Sequence, residues 1–200
     1  MTSLQCATTL VVARHGEAEY EASEWADEGG SLTTLGRQQA AALGDALAGR
    51  RVAHVWTSTL ARAVQTAEIV AARLGVGVTT RVGLREFGVG QLAGTPLDLD
   101  PFRQTYLRWL DGELDERVPG GESGREIVDR VGAVLREIAD AHPGETVLVV
   151  SHGGAIGLGV PHLARMEVEQ TSLANTATVE VRADADEWVC TRWGTPQGDG

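Results

Sequence analysis

The sequence predicts a three-layer α/β/α domain around a mainly parallel central sheet, and three observations carry that prediction. Short, continuously apolar, β-branched runs alternate with segments whose apolar residues recur at helical spacing. Two of those runs empty into chemistry-bearing turns, Arg14-His15-Gly16-Glu17 and Ser151-His152-Gly153-Gly154, as strands of an open parallel sheet do at their carboxyl ends. At 200 residues with 42% hydrophobic positions, the chain is the size of one domain that buries most of its apolar surface.

The elements follow in order. Thr8 to Ala13 is the first buried strand. Residues 17 to 31 are acidic and poor in aliphatic residues, so they read as a loop. Thr33 or Thr34 caps a helix that carries Ala40, Leu43, Ala46 and Leu47 on one face and ends at Gly49. His54 to Thr57 is a second buried strand; Ser58 caps the helix behind it, in which Leu60, Ala63, Ala67, Val70 and Leu74 repeat at helical spacing until Gly75 stops it. Ser123 and Glu126 form a capping-box pattern ahead of Ile127, Val131, Val134, Leu135 and Ile138. His142-Pro143-Gly144 turns the chain into Thr146 to Val150, its most aliphatic strand. Thr176 to Arg182 and Trp188 to Arg192 form a hairpin across the Ala183 to Asp186 turn. One domain is expected over residues 1–193, with a segment at 95–118 that breaks the alternation and reads as an inserted lid, and a frayed tail at 194–200.

Composition removes whole classes of function. Seventeen basic against 28 acidic residues give a net charge of −11, which argues against nucleic acid or an anionic membrane surface as partner. Every basic residue is arginine, so a Walker-type phosphate loop, a Schiff-base lysine and a serine–lysine dyad are all absent. Cys6 and Cys190 are too few for a disulfide framework and lack zinc-site spacing. No cationic segment precedes the short apolar stretch near Leu10 to Ala13, and the expectation is a cytoplasmic protein. Oligomeric state is not legible.

Placed at strand ends, Arg14, His15, Ser58, Arg62 and His152 are expected to converge on one crevice. Guanidinium groups supply paired donors and glycine-rich turns let backbone N–H groups approach oxygens, so the expected guest is a phosphoryl group. A neutral imidazole beside it can attack phosphorus in line and hold the group as phosphohistidine. The departing alkoxide then needs a proton from a carboxylic acid within about 3 Å, and Glu86 is the candidate. No metal or cofactor is expected, because arginines repel a dication and His152 lacks an accompanying ligand spacing. Gly88 to Ala93 fits a dinucleotide fingerprint only nominally, since it neither closes a strand nor opens a helix. Ser151 is not a nucleophile elbow, for Val149 stands where that motif needs glycine. His54, His142 and His162 read as structural or surface residues. In the inserted segment, Arg103 and Arg108 are candidate specificity residues; Tyr106 and Trp109 either face substrate or pack on the core.

These motifs resemble the histidine phosphatase superfamily, in the branch of cofactor-dependent phosphoglycerate mutases and related phosphatases. The resemblance runs in order along nearly the whole chain: Arg14-His15-Gly16-Glu17, Leu35-Gly36-Arg37, Ser58 to Ala67 with Arg62, Leu84-Arg85-Glu86, Pro119-Gly120-Gly121-Glu122-Ser123, Ser151-His152-Gly153-Gly154 and Asn175-Thr176. It implies that His15 is the phosphorylated nucleophile, that Arg14, Arg62 and His152 bind the phosphoryl group, and that Glu86 is acid and base. It also implies a phosphatase over a mutase, since Glu86 and Glu122 are only 36 positions apart where mutases carry a large insertion. The expected substrate is a small phosphorylated metabolite such as a sugar or glycerate phosphate. The rivals are a mutase that returns the group to a sugar acid and a catalytically weak phospho-ligand binding protein. The chain departs from the family at Glu21, where relatives usually carry asparagine. Either the loop is arranged differently or the substrate brings a positive or hydroxyl-rich group that Glu21 engages, and bisphosphates are expected to be disfavoured.

Overall fold

The computed structural model describes residues 6–20, 23–96, 98–185 and 187–195. In chain order the strands are Thr8–Arg14 (β1), Ala18–Glu19 (β2), Ser31–Leu32 (β3), Val52–Thr57 (β4), Val78–Thr80 (β5), Thr146–Ser151 (β6), Arg165–Met166 (β7), Thr178–Ala183 (β8) and Trp188–Thr195 (β9). The α-helices are Thr34–Leu47 (α1), Ala61–Leu74 (α2), Arg103–Leu110 (α3), Gly124–Ala141 (α4) and Gly153–Leu163 (α5). Seven strands form one sheet in the order β5-β4-β6-β1-β8-β9-β7. Strands β5, β4, β6 and β1 run parallel, and β8 lies antiparallel to both β1 and β9. The fold is therefore the expected α/β/α sandwich with a mainly parallel sheet.

Because strand side chains alternate, each central strand feeds two cores. Leu10 and Val12 of β1 join Val147 and Val149 of β6 in packing against Val131, Leu135, Ile156 and Leu158 of α4 and α5. Val11, Ala13, Leu148 and Val150 face the other way, onto Leu43 and Leu47 of α1 and Ala63, Ala67 and Val70 of α2. Both faces are covered, so these strands read as unbroken apolar runs.

Local chemistry sets most helix ends. Thr33 caps α1 through its hydroxyl, which accepts the Gly36 N–H at 2.9 Å. Ser123 and Glu126 close a capping box at α4, and Gly75 ends α2 in the left-handed conformation at φ 69°. Other expectations need correction. Helix α1 stops at Leu47 and continues as a 3-10 turn over Ala48–Arg50, so Gly49 lies inside that turn, and Arg51 takes the left-handed conformation. Leu60, not Ser58, precedes α2: the Ser58 hydroxyl accepts the Leu60 N–H at 3.1 Å and meets His152, and no side chain caps the helix.

Strands β2, β3, β5 and β7 and the whole of α5 had no sequence signal. Helix α5 holds Gly153, Gly154, Gly157, Gly159 and Pro161, poor helix formers in isolation. The glycines are required by neighbours: a Cβ on Gly159 would lie 2.5 Å from Val131 Cγ1, and one on Gly157 2.4 Å from the Tyr106 hydroxyl. The terminal hairpin forms, with β9 running on through Gly194 and Thr195, so the strand enters the expected tail. Asp186 of the turn and 196–200 of the tail lie outside the described residues. Among the described residues no helix is long and apolar enough to cross a membrane.

Candidate active site

Strand β1 ends at Arg14 and hands His15 to the crevice at the carboxyl edge of the sheet; β6 does the same with His152, the residue before α5. Both imidazoles are buried, with ring centroids 5.1 Å apart. Small residues make this convergence possible. A Cβ on Gly16 would sit 2.5 Å from the Gly36 carbonyl oxygen, and one on Gly36 1.9 Å from that of Glu17, so α1 begins in direct contact with the turn after His15. The Gly16 N–H donates to Thr66 Oγ1 at 3.0 Å. On the other side, Asn175 Nδ2 donates to the His15 carbonyl at 3.0 Å, and Thr176, held at φ 58°, donates its N–H to the Arg14 carbonyl at 3.1 Å. A β-branched residue in the left-handed region is strained, which marks this turn as one the surroundings hold in place.

The hydrogen bonds specify the tautomer of His15. Its Nδ1 lies 2.7 Å from the Gly16 carbonyl oxygen, an acceptor only, so Nδ1 carries the proton. Nε2 is left with a lone pair and accepts from Arg62 Nε at 3.3 Å. Burial, reinforced by the Arg62 and Arg14 guanidinium groups, lowers the His15 pKa to about 3 against the favourable bond to Gly16. His15 is therefore a neutral imidazole presenting Nε2 to a cationic pocket.

His152 is the complement. Ser58 Oγ accepts the Leu60 N–H at 3.1 Å and lies 2.7 Å from His152 Nε2. With the hydroxyl donating to Nε2, Ser58 is satisfied as both donor and acceptor and the His152 proton sits on Nδ1. Nδ1 and Arg14 Nε are buried polar atoms with no hydrogen-bond partner among the described residues. Burial first, then His15 and the nearby arginines, push the His152 pKa well below its ordinary value. Arg14 is anchored by Nη1 on the Leu173 carbonyl at 2.6 Å. Arg62 is anchored by Nη1 on the Gly29 carbonyl at 2.9 Å, with the Tyr20 ring 5.6 Å from its guanidinium carbon.

Glu86 reaches the same cavity from the loop after β5. Its carboxylate accepts the Gly154 N–H at 2.9 Å and the Ala155 N–H at 2.8 Å, at the positive end of α5. Gly154 allows that approach, since a Cβ there would lie 2.8 Å from Glu86 Oε1 and 2.5 Å from Phe87 Cε1. The loop is buttressed by Arg130 of α4, which donates to the Gly83 and Arg85 carbonyls at 2.9 and 2.7 Å and pairs with Glu122 at 2.6 Å.

Arg14, His15, Arg62 and Glu86 all line one cavity of about 1230 Å³, with Phe87, Phe102 and Tyr106 farther out. Arg103 lines its outer wall; Arg108 does not, because its guanidinium is turned to Glu113 and Glu116 at the end of α3. Trp109 is fully buried and donates to the Glu116 carbonyl, so it serves the core, whereas Tyr106 faces the cavity. Burial, and then the nearby Glu86 carboxylate, push the Tyr106 phenol up to about 12. Glu21 lies outside the described residues. The roles of Arg130, Phe87 and the 170–173 segment had no sequence signal, since each depends on a long-range contact. His54, His142 and His162 lie outside this cavity: Trp56 Nε1 donates to His142 at 3.0 Å, His54 pairs with Thr79 at 2.9 Å and His162 with the Leu158 carbonyl at 2.8 Å.

An α/β sheet that brings His15, two arginines and a carboxylate to one cavity, with a second neutral histidine buried directly behind His15, defines an enzyme that handles phosphoryl groups. More narrowly, the chain belongs to the histidine phosphatase superfamily (branch 1), whose family model matches residues 10–196. It is 32% identical over 194 residues to the protein described as "Probable phosphoglycerate mutase GpmB" of Salmonella choleraesuis (strain SC-B67), covering 92% of this chain and 89% of the relative. A mycobacterial glucosyl-3-phosphoglycerate phosphatase complexed with VO3 is similar in structure, with TM-score 0.78, 26% identity and coverage of 94% of this chain and 99% of that one. Bacillus stearothermophilus YhfR aligns with TM-score 0.71 and 28% identity, over 92% of this chain and 96% of its own.

Proposed function

We propose that the protein hydrolyses phosphomonoesters of small metabolites through a phosphohistidine formed at His15 Nε2. The observation that carries this is the tautomer of His15, with its proton held on Nδ1 by the Gly16 carbonyl and its lone pair on Nε2 facing Arg62 in a cavity that Arg14 also lines. Arg14 and Arg62 neutralise the non-bridging oxygens, and the Nδ1–H of His152 donates a hydrogen bond to one of them. Nε2 attacks phosphorus, the bond from phosphorus to the alcohol oxygen breaks, and Glu86 supplies the proton that the alkoxide takes up. Glu86, now ionised, removes a proton from water, whose oxygen attacks phosphorus; the P–N bond breaks and its electron pair returns to Nε2. Residues 95–118, which bring α3 over the cavity, form the wall that reads the alcohol. Cys6 and Cys190 are both free thiols, which supports a cytoplasmic enzyme.

The similarity to GpmB favours a second reading, a mutase that returns the phosphoryl group to the alcohol. Phosphate release from a panel of monoesters, with chelator present, decides between them when run with the wild type and His15→Ala. The expected result is chelator-resistant release that falls by about 10³-fold or more in the variant, with an acid-labile phosphoryl group trapped on His15. Bisphosphate-primed isomerisation with little free phosphate would establish the mutase, and binding of a phosphate analogue without turnover a phospho-ligand protein.

A further inference from the structure

We propose that the alcohol half of the substrate is a hydrocarbon alcohol, lying against an apolar collar at the mouth of the cavity. This rests on the reading of the His15 site as a phosphomonoesterase and narrows its substrate class. Among the described residues, six large apolar side chains are exposed, and five of them, Tyr20, Val82, Leu99, Leu107 and Leu110, line this one cavity. Single exposed hydrophobic residues are ordinary; their concentration around one opening is not. They come from four separate segments, so the collar is not the misplaced face of one helix. Val82 is 66% exposed and Leu99 55%, and each is therefore free to contact a ligand. Deeper in, Phe87 and Phe102 pack edge to face at 5.7 Å and continue the apolar wall toward Glu86.

Several polar groups on the same wall are committed to the protein, while Asp98, Arg103 and Ser172 have no side-chain partner among the described residues. Trp25 Nε1 donates to the Leu99 carbonyl at 2.9 Å and Gln170 Nε2 to the Gly157 carbonyl at 2.7 Å. Asp27 accepts the Val89 N–H at 2.6 Å, and Glu28 is paired with Arg85. A polyhydroxylic alcohol bound here would leave hydroxyls facing leucine and valine, whereas a hydrocarbon loses nothing by leaving water. The cavity, at about 1230 Å³, also holds far more than a phosphoglycerate.

The test is a series of n-alkyl phosphates from ethyl to octyl, with glycerol 1-phosphate and glucose 6-phosphate. All are esters of primary alcohols, so leaving-group acidity changes little while apolar length grows. The expected result is a kcat/KM that rises roughly two- to fourfold per methylene until the chain clears the collar. The Leu107→Gln/Leu110→Gln double variant should flatten that slope while keeping a folded circular dichroism spectrum. Leu35→Gln, at the exposed apolar residue away from the cavity, should keep the slope. A flat series, or glucose 6-phosphate outrunning octyl phosphate, would overturn the proposal. If no ester is hydrolysed, the phosphatase reading fails, and calorimetric titration decides the collar alone: octyl phosphate must bind more tightly than ethyl phosphate, and equal affinity overturns it. Sedimentation revealing a wild-type dimer that the double variant loses would assign the collar to a second copy and also overturn it.

Discussion

At His15 a single carbonyl sets the tautomer, because Gly16 O can only accept and so assigns the proton to Nδ1. With the pKa lowered to about 3, chiefly by burial, the ring stays neutral wherever an ordinary histidine titrates. Its C–H resonances are therefore expected to stay still between pH 5 and 8, a window in which two-dimensional NMR would reveal a normal imidazole. The linkage has a definite sign. Between about 3 and the ordinary value of 6.5 the unfolded chain binds the proton and the native one does not. Stability thus rises as pH increases through that window, and acidification below 6.5 costs up to about 1.4 kcal/mol per pH unit for this one group. Denaturant titrations at pH 4 to 7 should show a shallower slope for His15→Asn. Ser58 acts one bond further out, through His152 Nε2. Ser58→Ala should lower kcat roughly tenfold with little change in KM, the cost of one lost hydrogen bond to the ring proposed to bind the phosphoryl group.

Among the elements, the helix starts do the positioning. Ser123 caps α4 and was legible because a capping box needs only residues three apart in sequence, whereas for α1 the sequence left Thr33 and Thr34 open and the structure selects Thr33. Helix α5 was not legible: its glycines answer to Val131, Tyr106, Glu86 and Phe87, which no local pattern brings near. Two substitutions separate its roles. Gly159→Ala would place a methyl 2.5 Å from Val131 Cγ1 and is expected to destabilise the fold, by about 1–3 kcal/mol in urea titration. Gly154→Ala would place one 2.8 Å from Glu86 Oε1, and kcat should fall by more than about tenfold as the carboxylate leaves the α5 terminus. Arg108 illustrates the converse. Its place on the inserted segment made it a specificity candidate, yet Glu113 and Glu116 turn it away from the cavity.

Across the whole molecule the central sheet is shared by two cores, since Leu10 and Val11, or Leu148 and Val149, are neighbours in sequence that pack on opposite helical layers. Neither layer can leave without exposing the strands that the other covers. Unfolding is therefore expected as one transition, with tryptophan fluorescence and far-ultraviolet circular dichroism superimposing in urea. Arg130 extends the same coupling to the site by tying α4 to the loop that carries Glu86.

The fold class, both long strand-to-turn junctions and the convergence of Arg14, His15, Arg62 and His152 could be reached from residue order, because strand burial, caps and carboxyl-end turns are properties of short segments; Glu86 was singled out by its chemistry and by the family resemblance, since the strand before it gave no signal. The tautomer of His15, the commitment of Ser58 to His152 and the apolar collar arose only on folding. Each depends on atoms from segments far apart in the chain meeting within a few ångströms, and no local pattern encodes that distance.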